Sequence, residues 1–479
     1  MSTVREPRSA MSNDFSAGLR GVLNALAGCG HPTLTVGTGL LPKVEIAHHY
    51  QTHFATSPAS RRTGDEPCVL YEGVSGQMPV LLGMYGARCR NELLLHGSPG
   101  PAAARLSRKL SERLAPVPTR NAKCHQVKRV ERLAALPVLT TTPNDAGPYL
   151  TSGLVCAVDS ETGAANVSIH RMRVLDADRL TIWMLPGRDL DRLHQRALAA
   201  GRPLAVSINI GVPPAIYLTS AMSAPFIERG ESELALAGAV QGRPVQTAKC
   251  KTNSALCIAE SDIVIEGEIT AETADEFADP IARWAMPEFL GYMGQGRAGL
   301  PVISVSGVWH REEAIYQAFL GPGKEQSELL ALPTEAGMIV RLNAAHDSEL
   351  QILDAHYLAP GGGQLLLALR VRKLKEQADT MERLLRSIVQ LHKLTKAVWV
   401  VDEDVDIHSP EDLIWASTTR FQPERDLYVR QGEPGFPLDP SQSAGYLPGG
   451  QVATDKYLMD LTAPTALRDR FVRWTNYSD

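Results

Sequence analysis

NVSIHRMRVLD, residues 166–176, sets a carboxamide, a hydroxyl and a guanidinium within six residues of an apolar, β-branched run. Val167, Ile169, Val174 and Leu175 mark the segment as a strand. The two-residue period of a strand sends Asn166, Ser168 and His170 to one face and Val167, Ile169 and Arg171 to the other. A guanidinium on an apolar face costs several kcal/mol, roughly, unless it is paired. Arg171 therefore predicts a carboxylate partner from elsewhere in the chain or an acidic substrate, the alternative being a surface arginine on an edge strand.

Outward from this segment the same texture continues. YLTSGLVCAVD, ANVSIHRMRVL, LTIWMLP, LAVSINIGV, VQTAKCKT, DIVIEGEIT and LPVISVSGVWH are seven strand candidates between about residues 148 and 310, separated by turn signals. That density predicts a β-barrel or β-sandwich with two or three inserted helices. One helix follows Pro213 and Pro214, and another is ESELALAGAVQG, closed by Gly242. Glu231 and Glu233 fall in its first turn, where acids complement the helix dipole.

On the N-terminal side, FSAGLRGVLNALAGCG and KVEIAHHYQTHFA read as helices and CVLYEGVSGQMPVLLGMYG as two strands around a turn. The second helix carries His48, His49 and His53; His49 and His53 share a face that could hold a metal, although three surface histidines need no such role. PAAARLSRKLSERLA is a further helix, and CHQVKRVERLAALPVLT a short strand and linker, which places a boundary near residue 130. On the C-terminal side, ADTMERLLRSIVQLHKL alternates with the strands GQLLLALRV and KAVWVVDEDVDI in an α/β pattern. From Pro440 onward the sequence reads as a Gly- and Pro-rich tail ending in a helix-like ALRDRFVRW, suited to packing on a neighbouring subunit. The expected organisation is mixed α/β in three domains, 1–130, 131–325 and 326–479.

Composition narrows the partners. A chain of 479 residues with 44% hydrophobic and 21% charged residues is globular and large enough for several cores. A net charge of -5 without a basic run speaks against nucleic acid and favours a small molecule. The seven cysteines are scattered and lack any CxxC, so neither a disulfide framework nor a zinc site is indicated and a reducing compartment is expected. MSTVREPRSAMSNDF has no apolar core for a signal peptide and no run of eighteen apolar residues occurs, which predicts a cytoplasmic protein with no membrane partner.

NVSIHRMRVLD, INIGVPPAIYLTSAM, ESELALAGAVQGRPVQTAKCKT and DIVIEGEI, in this order, resemble the UbiD family of reversible decarboxylases that use prenylated FMN. PCVLYEGVSGQMPVLLGMYGARCRN resembles the N-terminal domain of that family, and KAVWVVDEDVDIHSPEDLIWASTTRFQPERD its C-terminal domain. The resemblance implies a central split β-barrel of flavin-reductase type and a homodimer or larger assembly formed through the C-terminal domain. It also implies a flavin prenyltransferase as cofactor supplier.

Carried over by position, Asn166 and Glu233 resemble ligands of a manganese or magnesium ion that anchors the cofactor phosphate. Ser168, Ile169, His170 and Arg171 resemble cofactor-contacting residues, and Ser220, Ala221 and Met222 match the segment near a potassium ion. The turn PGRD places Arg188 and Asp189 where the family commonly has a histidine ligand two positions after the glycine; Asp189 is then a third ligand or a helix N-cap.

RWAMPEFLGY departs further from the family. Glu288 matches the second acid of the usual acidic loop, but Arg283 stands where the first is expected, so Asp279 or Glu276 substitutes, or Arg171 and Glu288 act alone. Decarboxylation at an alkene or aromatic carbon needs an electron sink, which the modified flavin supplies in the family. Glu288 is expected to deliver the proton that replaces carbon dioxide, with Arg171 orienting it. Trp284, Met286, Phe289 and Met293 around that acid favour an apolar substrate tail. An α,β-unsaturated acid comes first, with terminal-alkene formation in a specialised pathway as one form, and a phenolic or heteroaromatic acid second. A non-catalytic flavin-binding subunit of a carboxylase assembly is the alternative from another class.

Overall fold

Each of the seven runs expected between residues 148 and 310 contains a strand in the computed structural model. That structure describes residues 18–474 apart from 38, 75–77, 96–100, 130–131, 160–162, 164, 223–224, 228–230, 376, 378, 437 and 443–452. The segment MSTVREPRSAMSNDF, read as lacking a signal peptide, therefore lies outside the described residues.

The central sheet runs in the order Arg179–Thr181, Leu300–His310, Ile263–Ala274, Leu204–Ile210, Leu154–Val158, Ala165–Ile169. Val127–Arg129 pairs with Leu300–His310, and every neighbour in the sheet is antiparallel. Its two longest strands bend at register shifts between Glu266 and Gly267 and between Ile269 and Thr273. At the first of these a side chain on Gly267 would meet the Ser304 carbonyl at 2.5 Å, so the bulge needs a glycine. A short sheet of Leu256–Ile258, Gln246–Lys249 and Val117–Pro118 flanks the central one. The strand Leu256–Ile258 carries no sequence signal of its own, being three residues long.

An N-terminal sheet is built from Leu34–Gly37, Val69–Glu72 and Val80–Leu82, and completed by Tyr316–Gln317 from beyond the central sheet. Its Val69, Tyr71 and Leu82 share one core with Val155, Ile208, Ile265 and Ile303 of the central strands, so the two sheets are packed together.

The C-terminal sheet has the order Leu350–Tyr357, Leu366–Lys373, Ala397–Val401, Ala453–Asp460, Leu427–Pro434, parallel in the middle and antiparallel at both edges. Thr380–Leu391 crosses between two of the parallel strands and buries Met381, Leu384, Leu385, Ile388 and Val389, the stripe expected of an amphipathic helix. Ala453–Asp460 corrects the reading of everything after Pro440 as a tail: it is an interior strand. ALRDRFVRW forms a 3-10 turn over Thr465–Arg470 rather than an α-helix.

Lys324–His346, the longest helix among the described residues, went unrecognised in the sequence. It is buried on most of its faces and contains Pro333, so it shows no helical stripe and carries a helix-breaking residue. None of the described helices is long and apolar enough to cross a membrane.

Candidate active site

Residues 166–176 do not form one strand. Ala165–Ile169 ends where His170 donates its backbone N–H to the Gly153 carbonyl at 3.2 Å, and Met172–Arg173 then pairs with Tyr149–Leu150. Arg171 therefore lies in a link between strands, not on the apolar face that alternation predicts.

Its carboxylate partners are two. Arg171 sets Nε 2.8 Å from Oε1 of Glu276 and Nη2 3.0 Å from Oε2, a two-pronged contact, while Nη1 lies 3.0 Å from Oε1 of Glu288. Side-chain exposures of 11%, 1% and 11% for Arg171, Glu276 and Glu288 mean that the three charges meet largely out of water. Burial alone would lower the Arg171 pKa, but the two carboxylates outweigh it and raise the pKa further. The guanidinium also lies 5.0 Å from the Trp183 ring centre, with Arg297 at 4.5 Å from the same ring.

Local backbone fixes both acids. Glu276 exchanges contacts with Arg297, whose carbonyl accepts from the Glu276 N–H at 2.8 Å and whose N–H reaches Oε2 at 3.2 Å. Glu288 begins a tight turn in which the Gly291 N–H donates to its carbonyl at 2.9 Å. Gly291 has φ of 89°, and a side chain there would press on the Pro58 carbonyl at 2.9 Å.

The alternatives left open by the acidic loop are thereby separated. Glu276, not Arg283 or Asp279, is the acid that joins Glu288 beside Arg171. Asp279 is exposed and accepts from the N–H groups of Ile281 and Ala282, a side-chain-capped turn. Arg283 is exposed, donates to the Pro280 carbonyl and lies 5.1 Å from the Phe277 ring. Twelve positions separate Glu276 from Glu288, so a motif with the acids five apart cannot be laid over this loop. Of the loop's apolar residues, Met286 and Phe289 are buried, whereas Trp284 and Met293 are exposed.

A second constellation forms around Asn166. Its Nδ2 lies 3.4 Å from Oε1 of Glu233, the first residue of the helix Glu233–Gln241, and the Val167 N–H reaches Oε2 at 3.3 Å. Burial pushes the Glu233 carboxyl up to about 7, and Asp189 adds to the rise. Among the described residues, Asn166 Oδ1 and Ser232 Oγ are buried without a hydrogen-bond partner. Two mutually repelling carboxylates beside an orphaned carbonyl oxygen and an orphaned hydroxyl make an oxygen-rich set that fits a hard divalent cation with a phosphate.

Asp189 is not the cap that the sequence offered as its alternative role. Arg188 is the N-cap, without a side-chain capping bond, and Asp189 is the first residue of the helix Asp189–Ala199. Its exposed side chain lies 3.8 Å from Arg192.

The remaining expected residues are placed as follows. His170 donates from Nδ1 to the Trp183 carbonyl at 2.9 Å and accepts at Nε2 from the Ser168 hydroxyl at 2.8 Å; burial keeps its pKa low. Ile169 is half-buried at the end of its strand. Ser220 Oγ donates to the Tyr217 carbonyl at 3.0 Å and Met222 is buried. His49 is engaged by the Tyr71 hydroxyl at 3.0 Å, an ordinary packing role for the histidine helix. Trp183 and Arg297 were not singled out in the sequence, since an aromatic in a strand run and an arginine in a Gly-rich turn carry no motif.

Residues 115–324 match the 3-octaprenyl-4-hydroxybenzoate carboxy-lyase Rift-related domain of UbiD, and residues 329–460 match the corresponding C-terminal domain. The gallate decarboxylase of Lactiplantibacillus plantarum is 32% identical over 450 residues, covering 90% of this chain and 91% of that protein. Among solved structures, the apo 3,4-dihydroxybenzoic acid decarboxylase of Enterobacter cloacae superposes with a TM-score of 0.86 at 34% identity, covering 95% of this chain and 96% of that one. The UbiD-class enzyme HmfF of Pelotomaculum thermopropionicum, in complex with FMN, gives 0.81 at 28% identity, covering 95% and 96%. An evolved dimeric form of HmfF is in complex with prenylated FMN (prFMN), with a TM-score of 0.77 at 26% identity, covering 96% and 99%. Two matched domains, an aligned relative along nine-tenths of the chain and a shared fold place this chain in the UbiD family of decarboxylases, which are carboxy-lyases.

Proposed function

We propose that the chain decarboxylates a hydroxylated aromatic acid without net oxidation, using prenylated FMN. The observations that carry this reading are the Arg171–Glu276–Glu288 cluster and two relatives, matched along at least nine-tenths of the chain, that are named for gallate and 3,4-dihydroxybenzoic acid. Those names reverse the order expected from the sequence, so the α,β-unsaturated acid becomes the second reading. An assembled buried triad also favours catalysis over a purely structural subunit.

Loss of carbon dioxide leaves an electron pair on the ring carbon, and the prenylated flavin, when bound, supplies the sink for it. The chain's own residues have the other tasks. Glu288, in its acid form, delivers a proton to the carbon that carried the carboxylate, and the resulting anion is reprotonated from solvent. Arg171 orients Glu288, and Glu276 holds Arg171 through its two-pronged contact. Atoms balance: one proton enters, one carbon dioxide leaves.

Asn166, Glu233 and Asp189 would hold manganese or magnesium against the cofactor phosphate, with potassium near Ser220, Ala221 and Met222. Ser168, Ile169, His170 and Arg188 would line the cofactor. A flavin prenyltransferase would supply the cofactor, and a homodimer or larger assembly would form through the C-terminal sheet.

Protein produced together with a flavin prenyltransferase provides the test. Carbon dioxide release is measured with 3,4-dihydroxybenzoate and gallate beside aliphatic and aryl α,β-unsaturated acids. Turnover of the phenolic acids is expected; turnover of the unsaturated acids alone overturns the substrate assignment.

A further inference from the structure

Three metal-ligating side chains, Cys124, His125 and Cys257, converge away from the Arg171 site, from segments with no shared motif, and Cys250 shares their small core. Cys124 and His125 belong to the 3-10 turn Lys123–His125, just before the strand Val127–Arg129. Cys250 follows the strand Gln246–Lys249, and Cys257 lies in the strand Leu256–Ile258. All three thiols are buried, with residue exposures of 0%, 9% and 0% for Cys124, Cys250 and Cys257.

The distances identify what this cluster suits. Sγ of Cys124 and Sγ of Cys257 are 4.0 Å apart, and Nε2 of His125 is 3.8 Å from Sγ of Cys257. The ligating atoms of Cys124, His125 and Cys257 all lie within 4.8 Å of one another, and Cys250 is buried in the same small core as Cys124 and Cys257. A disulfide would need sulfurs about 2.0 Å apart. A tetrahedral zinc ion with bonds of about 2.3 Å to sulfur and about 2.05 Å to nitrogen has S–S edges of ~3.8 Å and S–N edges of ~3.6 Å. Both measured contacts are within a few tenths of an ångström of those edges.

Packing supplies an independent reason for a staple. The small core here consists of Cys124, Ala248, Cys250, Ala255, Cys257, Ala259 and Val264, with no residue larger than valine. Little apolar area is available to hold the 123–129 segment against the hairpin 246–258, a situation that structural metals commonly remedy. His125 Nε2 also lies 3.1 Å from Oε1 of Glu266. Glu266 accepts as well from the Lys251 N–H and from the N–H and hydroxyl of Thr252, so it remains satisfied if that nitrogen turns to a metal.

We propose that Cys124, His125 and Cys257 bind a structural zinc ion, with Cys250 turning in from the same core as the fourth ligand of a closed tetrahedral site, and that the ion pins the segment entering the central sheet to the flanking hairpin. The sequence, with scattered cysteines and no CxxC, indicates no such site. Each thiol that binds gives up its proton, and no position is left open for a substrate. Zinc is favoured over magnesium, manganese or calcium because three of the four donors are soft sulfurs.

The test uses the full chain purified without chelator from zinc-supplemented cells. Elemental analysis is expected to find about one zinc per chain, and Cys124→Ser and Cys257→Ser should each lower this at least about tenfold. Should those variants not fold, wild-type protein grown on cobalt is measured instead: thiolate-to-cobalt charge transfer with intense tetrahedral d–d bands supports the site. Wild-type protein with less than about a tenth of a zinc per chain and no such cobalt spectrum overturns it. A Cys124–Cys257 disulfide, or full zinc content in folded Cys124→Ser, likewise overturns it. None of these readouts depends on decarboxylase activity, so the site can fail while the catalytic reading stands.

Discussion

Arg171 touches Glu288 with a single arm: Nη1 lies 3.0 Å from Oε1, and its other donors are directed to Glu276. The contact is therefore able to orient the Glu288 carboxyl while leaving Oε2 outside the guanidinium fork. A carboxyl held in this way can keep a proton on Oε2 and present it to a carbon, which a two-pronged ion pair would prevent.

Glu288→Gln should retain bound flavin and lose decarboxylation by about 10²–10⁴-fold, the usual contribution of a positioned general acid. Wild-type protein should also exchange the corresponding product hydrogen for deuterium from heavy water, because the same carboxylate must remove that proton in reverse. Full exchange by Glu288→Gln would remove it as the donor.

Glu276→Gln and Arg283→Glu should have opposite consequences. The first takes a charge from the two-pronged contact and leaves Arg171 partly uncompensated, so activity should fall at least about tenfold and the melting temperature should drop. Arg283→Glu lies on the exposed turn beside Phe277 and should change stability by no more than about 0.5 kcal/mol. A strong loss of activity in Arg283→Glu would return that residue to the site. Arg171→Lys keeps the charge but loses the planar fork, and kinetics should show severe impairment.

Glu233→Ala should lower flavin occupancy, read by mass spectrometry of the released cofactor, since a cation on its phosphate would lose a charged ligand. Asp189→Ala should weaken retention less, because its side chain is exposed, and excess manganese should restore part of it. Unchanged occupancy in Glu233→Ala would reduce Glu233 to a helix-start residue.

Acid should loosen the junction between the N-terminal segment and the long helix. Glu335 is fully buried and paired with Arg88 through contacts of 2.7 and 2.9 Å. Burial by itself would raise its pKa, but Arg88 and His356 overcome it and bring the carboxyl down to about 2 from the ordinary 4.5. A depressed folded-state value means that this stabilisation is fully present above pH 4.5 and is lost as pH falls toward 2. Glu335→Gln should cost about 3–5 kcal/mol at neutral pH, as for a broken buried pair, and should flatten the acid limb of the melting profile. An unaltered acid limb would assign that limb to other carboxylates.

Much of this protein was legible before any coordinates. Strand alternation and turn residues located all seven central runs, because both signals are local, and the ordered segments from Asn166 to Ile269 sufficed for the family even though the Glu288 loop departs from its pattern. The long helix Lys324–His346 escaped because a helix surrounded by protein has no polar face to set a period. The turn after Ile169 escaped because the apolar pattern of the segment runs on past it.

Partnership is what only the tertiary structure decided. The sequence predicted a carboxylate partner or an acidic substrate for Arg171, with a surface arginine as the alternative, and it offered Asp279, Glu276 or none beside Glu288; a turn-rich loop brings in Glu276 from twelve residues before Glu288. In the same way it showed seven cysteines with no spacing rule, and strand pairing brought Cys257 within 4.0 Å of Cys124 across 133 positions. Periodicity along a chain encodes which face a residue occupies, and it carries no information about which distant residue the fold will set against that face.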